Sequence, residues 1–159
     1  MARAIEPEAL QPVVVCPNED HATHSIHLQG RQFAVKATGR DTGGSFAAGL
    51  LRAEPMSGPP LHLRTHEDEW FYILKGQLAF EVGDRCFIAV PGTSVFAPRE
   101  VPHTWQNFTG EVAEALAVLT PADIEEDFPE AVIETLESVV LEILMTRHGI
   151  ITLGPPLSR

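Results

Sequence analysis

The stretch that decides the fold is PPLHLRTHEDEWFYILKG, residues 59–76. Side chains two apart on a strand share a face, so His62 and Arg64 point the same way. The polar run THED then reads as a turn. Beyond it, Glu69 shares a face with Phe71, and a hairpin brings His62, Arg64 and Glu69 together. Gly76 closes the second strand. A second stretch, GTSVFAPREVPHTWQN at 92–107, places His103, Trp105 and Asn107 on one face of a later strand. Periodicity alone does not bring His103 beside His62.

Outward from these stretches, residues 13–119 consist of short apolar runs split by turn signals. The runs include PVVVC, QFAVKAT, SFAAGLLRAE, QLAFEV, CFIAV and EALAVLT. The breaks include DTGG at 41–44, MSGPP at 56–60 and the pairs Gly83-Asp84 and Pro91-Gly92. Short strands at regular spacing with Gly and Pro turns predict an all-β sandwich or barrel. Residues 1–12 form a loose lead-in. Cys86 falls on a predicted strand, where a cysteine is expected to be buried and inert.

The character changes over 120–159. Thr120 reads as a helix N-cap with Pro121 at the first helical position, and Pro129 breaks or restarts that helix. Val132, Leu136, Val139, Val140, Ile143 and Leu144 then recur at helical period. This predicts an amphipathic helix over 130–147 packed on the barrel, ending at Gly149. The tail IITLGPPL has room for one short strand.

The two quoted stretches, with His62 seven residues before Glu69, Gly76 seven further on, and His103 between Pro98 and Asn107, resemble the two motifs of the cupin superfamily. Small single-domain cupins of the quercetin-dioxygenase-like branch are the most similar group. The resemblance covers roughly residues 45–120 and implies a cupin jelly-roll β-barrel, here with a C-terminal α-helical extension. It also implies one divalent metal ion (Fe, Mn, Ni or Zn) in the barrel, with His62, Glu69 and His103 at ligand positions. Two positions depart from the pattern. Arg64 stands where the family usually has a second histidine, and Glu100 where it usually has glycine.

Two imidazoles and a carboxylate are a sound donor set for such ions. Arg64 opposes them: at about 5 Å and an effective dielectric of about 20, two positive charges against one repel by roughly 6–7 kcal/mol. Three arrangements are open. The three ligands hold metal while Arg64 is neutralised by Glu69 or an anion; His66, in the turn, joins as an additional ligand; or Arg64 pairs with Glu69 in a metal-free barrel. Arg64, Phe71, Phe96 and Trp105 are candidates to line a substrate pocket, with ordinary core as the other reading of the aromatic residues.

The function implied is a metal-dependent, dioxygenase-like oxidoreductase acting on a small aromatic or polyketide-like substrate. Glu69 would act as ligand and base, and Arg64 as an anion clamp. A non-oxidative cyclase, isomerase or epimerase, or a binding module without turnover, are the alternatives, since fold does not fix function. The chain has a formal net charge of -11, which argues against nucleic acid and anionic membranes as partners. No leader-like apolar run opens the sequence. The expectation is a cytoplasmic protein with a small-molecule substrate, and a homodimer if the 130–147 helix packs between copies.

Overall fold

In the computed structural model, residues 9–19, 21, 25–122 and 145–158 are described. Eleven strands appear in chain order: β1 (Ser25–Leu28), β2 (Arg31–Ala37), β3 (Ala47–Ala53), β4 (Leu61–Arg64), β5 (Asp68–Lys75), β6 (Leu78–Val82), β7 (Arg85–Ala89), β8 (Ser94–Ala97), β9 (His103–Gln106), β10 (Ala113–Thr120) and β11 (Ile150–Gly154). They form two antiparallel sheets. One runs β1-β2-β3-β10-β5-β8 and the other β11-β4-β9-β6-β7. Among the described residues no ladder joins the edges of the two sheets. The expected barrel is therefore a two-sheet sandwich held by its filling rather than a ring closed by hydrogen bonds.

The filling arises from alternation. Along β10, Ala113, Ala115 and Ala117 face inward and are buried, while the residues between them are half-buried. Those small side chains leave room for the bulky ones opposite. Phe71 of the first sheet meets Phe80 of the second edge-on, ring centroids 5.3 Å apart, and Phe80 stacks on Phe87 at 5.8 Å. Leu51, Ile73, Leu78, Val95 and Trp105 complete the same cluster. Asn107, fully buried, ties the end of β9 to its surroundings. Its amide donates to the carbonyls of Ala53 and Glu111, and its oxygen accepts from the backbone and hydroxyl of Thr109.

Several expectations are corrected here. Val13 and Val14 of PVVVC are exposed and outside any strand, because no neighbouring strand offers them a ladder. Thr120 ends β10, pairs with Asp68 and donates its hydroxyl to the Ser45 carbonyl, so it is not a helix cap. Cys86 is exposed and free, on the outward face of the edge strand β7. The tail does form a strand, and β11 adds directly to β4, with Ile150 opposite Arg64 and Thr152 opposite His62. Of the predicted 130–147 helix, residues 130–144 lie outside the described residues, and 145–147 are helical. No helix among the described residues is long and apolar enough to cross a membrane.

Phe96 departs from its expected role. Its neighbours Val95 and Ala97 are buried, and Phe96 itself is 56% exposed on the outer face of β8, opposite Trp70. Replacing Phe80 with alanine should cost about 3–5 kcal/mol of unfolding free energy. Replacing Phe96 should cost less than about 1 kcal/mol, since surface truncations rarely cost more. Urea denaturation of both variants checks this. A Phe96→Ala loss as large as that of Phe80→Ala would place Phe96 in the core after all.

Candidate metal centre

One layer beyond the apolar filling, the inward positions turn polar. On β5, Glu69 precedes Phe71 and Ile73 on the inner face, flanked by Ala97 of β8 and Leu119 of β10. On β9, His103 takes the corresponding place above Trp105. It lies directly opposite His62 of β4, with ring centroids 4.6 Å apart. Pairing of β4 with β9 does what periodicity could not. It sets the two histidines side by side, facing a carboxylate from the other sheet.

The donor atoms of His62, Glu69 and His103 all lie within 4.8 Å of one another. Ligand atoms about 2 Å from one ion stand at most about 4 Å apart, so closing the set asks for movement of under about 1 Å. Both imidazoles are oriented by backbone. His62 Nδ1 donates to the Pro60 carbonyl at 2.8 Å, and His103 Nδ1 to the Val101 carbonyl at 3.0 Å. With Nδ1 carrying the proton, each ring presents the Nε2 lone pair, as metal-ligating histidines do. His103 Nε2 lies 3.0 Å from Glu69 Oε2. Two lone pairs at that distance repel, so this contact requires a cation: a second proton on His103, or a metal ion accepting both. The donor set therefore fits a divalent ion.

Arg64 is the next neighbour. Its Nε donates to Glu69 Oε2 at 3.1 Å and its NH1 to Glu67 Oε2 at 3.0 Å. The guanidinium is largely buried and Glu67 almost wholly so, at 15% and 5% side-chain exposure. Sequence reading found the Arg64–Glu69 pair but passed over Glu67 as part of a polar turn. The available signal was its spacing of three from Arg64. Among these three side chains, one guanidinium against two carboxylates leaves one negative charge to balance an ion.

The electrostatics derive from burial and charge. Burial pushes the Glu69 pKa up, but the Arg64 charge, the His103 hydrogen bond and the charges of His103 and His62 outweigh it and hold Glu69 at about 2. A carboxylate so depressed is a firm anionic ligand and a weak base, which weakens the expected role of Glu69 as base. Burial lowers His62 to about 4, against the smaller opposing pull of Glu69, keeping the ring neutral. Burial disfavours the Arg64 charge, but Glu69 and Glu67 more than offset it and raise its pKa.

The remaining candidates fall into place around this cluster. His66 is exposed in the β4–β5 turn, outside the converging donors, and packs beside Gly149. A Cβ on Gly149 would come within 2.4 Å of Thr65 Oγ1 and 2.7 Å of His66 Cδ2. The glycine thus lets the tail approach the turn. Phe71 and Trp105 belong to the core cluster, one layer below the site. Glu100 adopts φ of +63° where the resemblance leads one to expect glycine. The left-handed turn is kept, and the Glu100 amide donates to the Arg64 carbonyl at 2.7 Å. Of the N-terminal histidines, His21 pairs with Asp41 at 2.8 Å, and neither it nor His27 joins a converging donor set among the described residues.

A family model described as "Cupin domain" matches residues 49–119. That match and this fold support the cupin superfamily. No curated protein matches the chain. Among solved structures, a predicted oxalate decarboxylase from Thermotoga maritima is similar at 22% identity and a TM-score of 0.61, over 69% of this chain and 99% of that one. KdgF from Halomonas sp. is similar at 14% identity and a TM-score of 0.60, over 71% and 96%. An RmlC-like cupin from Shewanella frigidimarina is similar at 16% and 0.59, over 76% and 99%. At these identities the likeness carries the cupin fold alone. The quercetin-dioxygenase-like branch finds no support among them.

The depressed pKa values have a stability consequence. The folded chain binds fewer protons than the unfolded one between about pH 6.5 and 4 at His62, and between about 4.5 and 2 at Glu69. Stability is therefore full above about pH 6.5 and falls as pH drops through both windows. In chelator-treated protein, His62→Gln should flatten the upper window while leaving the lower one. Urea denaturation at a series of pH values measures this, and an unchanged slope in the variant would mean His62 is not the group responsible.

Proposed function

We propose that this cupin is a divalent-metal-dependent enzyme for a small substrate that offers an enolate, phenolate or carboxylate oxygen. In the favoured form of this reading its chemistry is oxidative, resembling that of quercetin dioxygenase. The observation that carries the metal reading is the convergence of three lone-pair donors, with both histidine Nδ1 atoms committed to backbone carbonyls. His62, Glu69 and His103 would hold the ion. A divalent ion there supplies Lewis-acid stabilisation of negative charge on a substrate oxygen and leaves positions open for dioxygen.

The chain's own residues do the rest. Pro60 and Val101 fix the imidazole tautomers. Glu69 contributes negative charge without competing for protons near neutral pH. With Nε on Glu69 and Nη1 on Glu67, Arg64 has no hydrogen bond from Nη2 among the described residues, and that nitrogen would serve an anionic substrate group. The apolar layer of Phe71 and Trp105 beneath the site excludes water from that side and raises the worth of every charge interaction above it.

A second reading rests on a specific contact. Glu69 Oε2 already accepts from Arg64 Nε and faces His103 Nε2, a network complete without metal once His103 is protonated. A metal-free proton-transfer enzyme, such as an isomerase or epimerase, would use that His103 proton as its acid. Elemental analysis of protein purified without an affinity tag or added metal separates the two. Stoichiometric metal, with dioxygen uptake on addition of a flavonol such as quercetin, supports the first. Turnover that survives exhaustive chelation supports the second.

Replacing Arg64 with histidine should complete a four-ligand set and remove the adjacent cation. Divalent-metal affinity should rise at least tenfold, about 1.4 kcal/mol. The gain should disappear when Glu69→Ala is added, because the balancing charge goes with it. Parallel zinc titrations of parent and variants measure this. Equal affinities for parent and Arg64→His would show that the guanidinium does not influence the ion position.

A further inference from the structure

We propose that Glu67 is a positioning residue whose charge neutralises Arg64, leaving the charge of Glu69 for a metal ion. This rests on the metal reading above and deepens it. Glu67 is not among the converging donors, so it acts through Arg64 rather than on the ion.

Three observations support this role. Arg64 divides its donors, with NH1 on Glu67 Oε2 at 3.0 Å and Nε on Glu69 Oε2 at 3.1 Å. Glu67 is 4% exposed, so solvent and salt screen its charge little. A carboxylate is seldom buried so deeply without a partner of opposite charge, and Arg64 bonds it directly. The neighbouring acid cannot take over, because both oxygens of Asp68 are engaged. Arg99 donates to Oδ1 from its backbone N and Nε, and to Oδ2 from NH2. Without the Glu67 charge, Glu69 would be the sole counter-ion of Arg64 among the described residues, and the metal position would lose its compensating negative charge.

The Arg64–Glu67 pair thus behaves as a neutral unit beside the ion. Three variants test this by titration with Zn²⁺ and Mn²⁺ alone, each against a competing chelator. Glu67→Gln keeps the shape and a hydrogen-bond acceptor but removes the charge, and should bind metal at least tenfold more weakly than the parent. Arg64→Gln should bind at least tenfold more tightly. The double variant, with both charges gone, should return to within about threefold of the parent. A purely structural role in shaping the turn predicts otherwise: the double variant would stay as weak as Glu67→Gln.

Melting of the metal-free variants establishes folding independently of metal affinity. Should Glu67→Gln fail to fold, Arg64→Gln and the double variant still decide the matter: a neutral pair requires tighter binding in Arg64→Gln and a return to the parent in the double variant, and a folded Arg64→Gln with parental affinity overturns it. A double variant more than tenfold from the parent in either direction overturns the proposal. So does a folded Glu67→Gln with parental affinity. A parent that takes up neither ion overturns the metal reading itself and this inference with it, whereas metal uptake by the parent with an unmoved Glu67→Gln overturns the inference alone.

Discussion

The structure depends on one carboxylate. Glu69 belongs to the six-stranded sheet, while Arg64 and His103, which both reach its Oε2, belong to the five-stranded sheet. This is the polar counterpart of the Phe71–Phe80 contact one layer below, which joins the same two sheets through apolar surface. The two sheets share no ladder among the described residues, so between their faces side-chain packing holds them together, helped by backbone bonds at the loops such as that of Glu100 to Arg64. At the apolar layer any well-packed set would serve. At the polar layer the requirement is stricter, because removing one partner leaves a buried guanidinium or carboxylate uncompensated, at a cost of about 3–5 kcal/mol.

The same strictness shapes the chemistry. Each histidine spends one ring nitrogen on a backbone carbonyl within its own strand approach, two residues upstream. Local chain geometry thus fixes which nitrogen faces the centre, before any long-range contact is considered. Pairing of β4 with β9 then aligns the rings, and the packing of sheet on sheet brings up the carboxylate. Site geometry is inherited from strand register, and a one-residue slip would turn every donor away.

Much of this was legible in the sequence, for reasons that particular residues make clear. Alternation placed His62 with Arg64 and Glu69 with Phe71, because a strand has only two faces. The proximity of His103 came from resemblance, since pairing between strands about forty residues apart leaves no periodic trace. Glu67 was missed because a Glu in a THED turn is ordinarily solvated, and nothing local says that a buried arginine will claim it. Phe96 was misread because aromatic character suggests a core, while facing is settled by parity with Val95 and Ala97. The tail strand β11 was anticipated, but its place beside β4 depends on Gly149 fitting against Thr65 and His66. That is a contact across more than eighty residues.

The substitution that sets this chain apart from the family pattern also changes less than it first suggests. With Glu67 kept, a neutral histidine at position 64 would leave two carboxylate charges, those of Glu67 and Glu69, near a divalent ion. Arginine paired with Glu67 leaves one, because that pair sums to zero. What also differs is coordination and shape. The position gives up a lone-pair donor and gains a guanidinium that Glu67 and Glu69 hold in place. On the metal reading, a site altered in this way would keep one net negative charge for a divalent ion and would meet its substrate with a cation in place of a ligand. On that reading an anionic oxygen would meet both the ion and a planar cation, and such paired recognition would favour a bidentate acid over a neutral ligand of the same size.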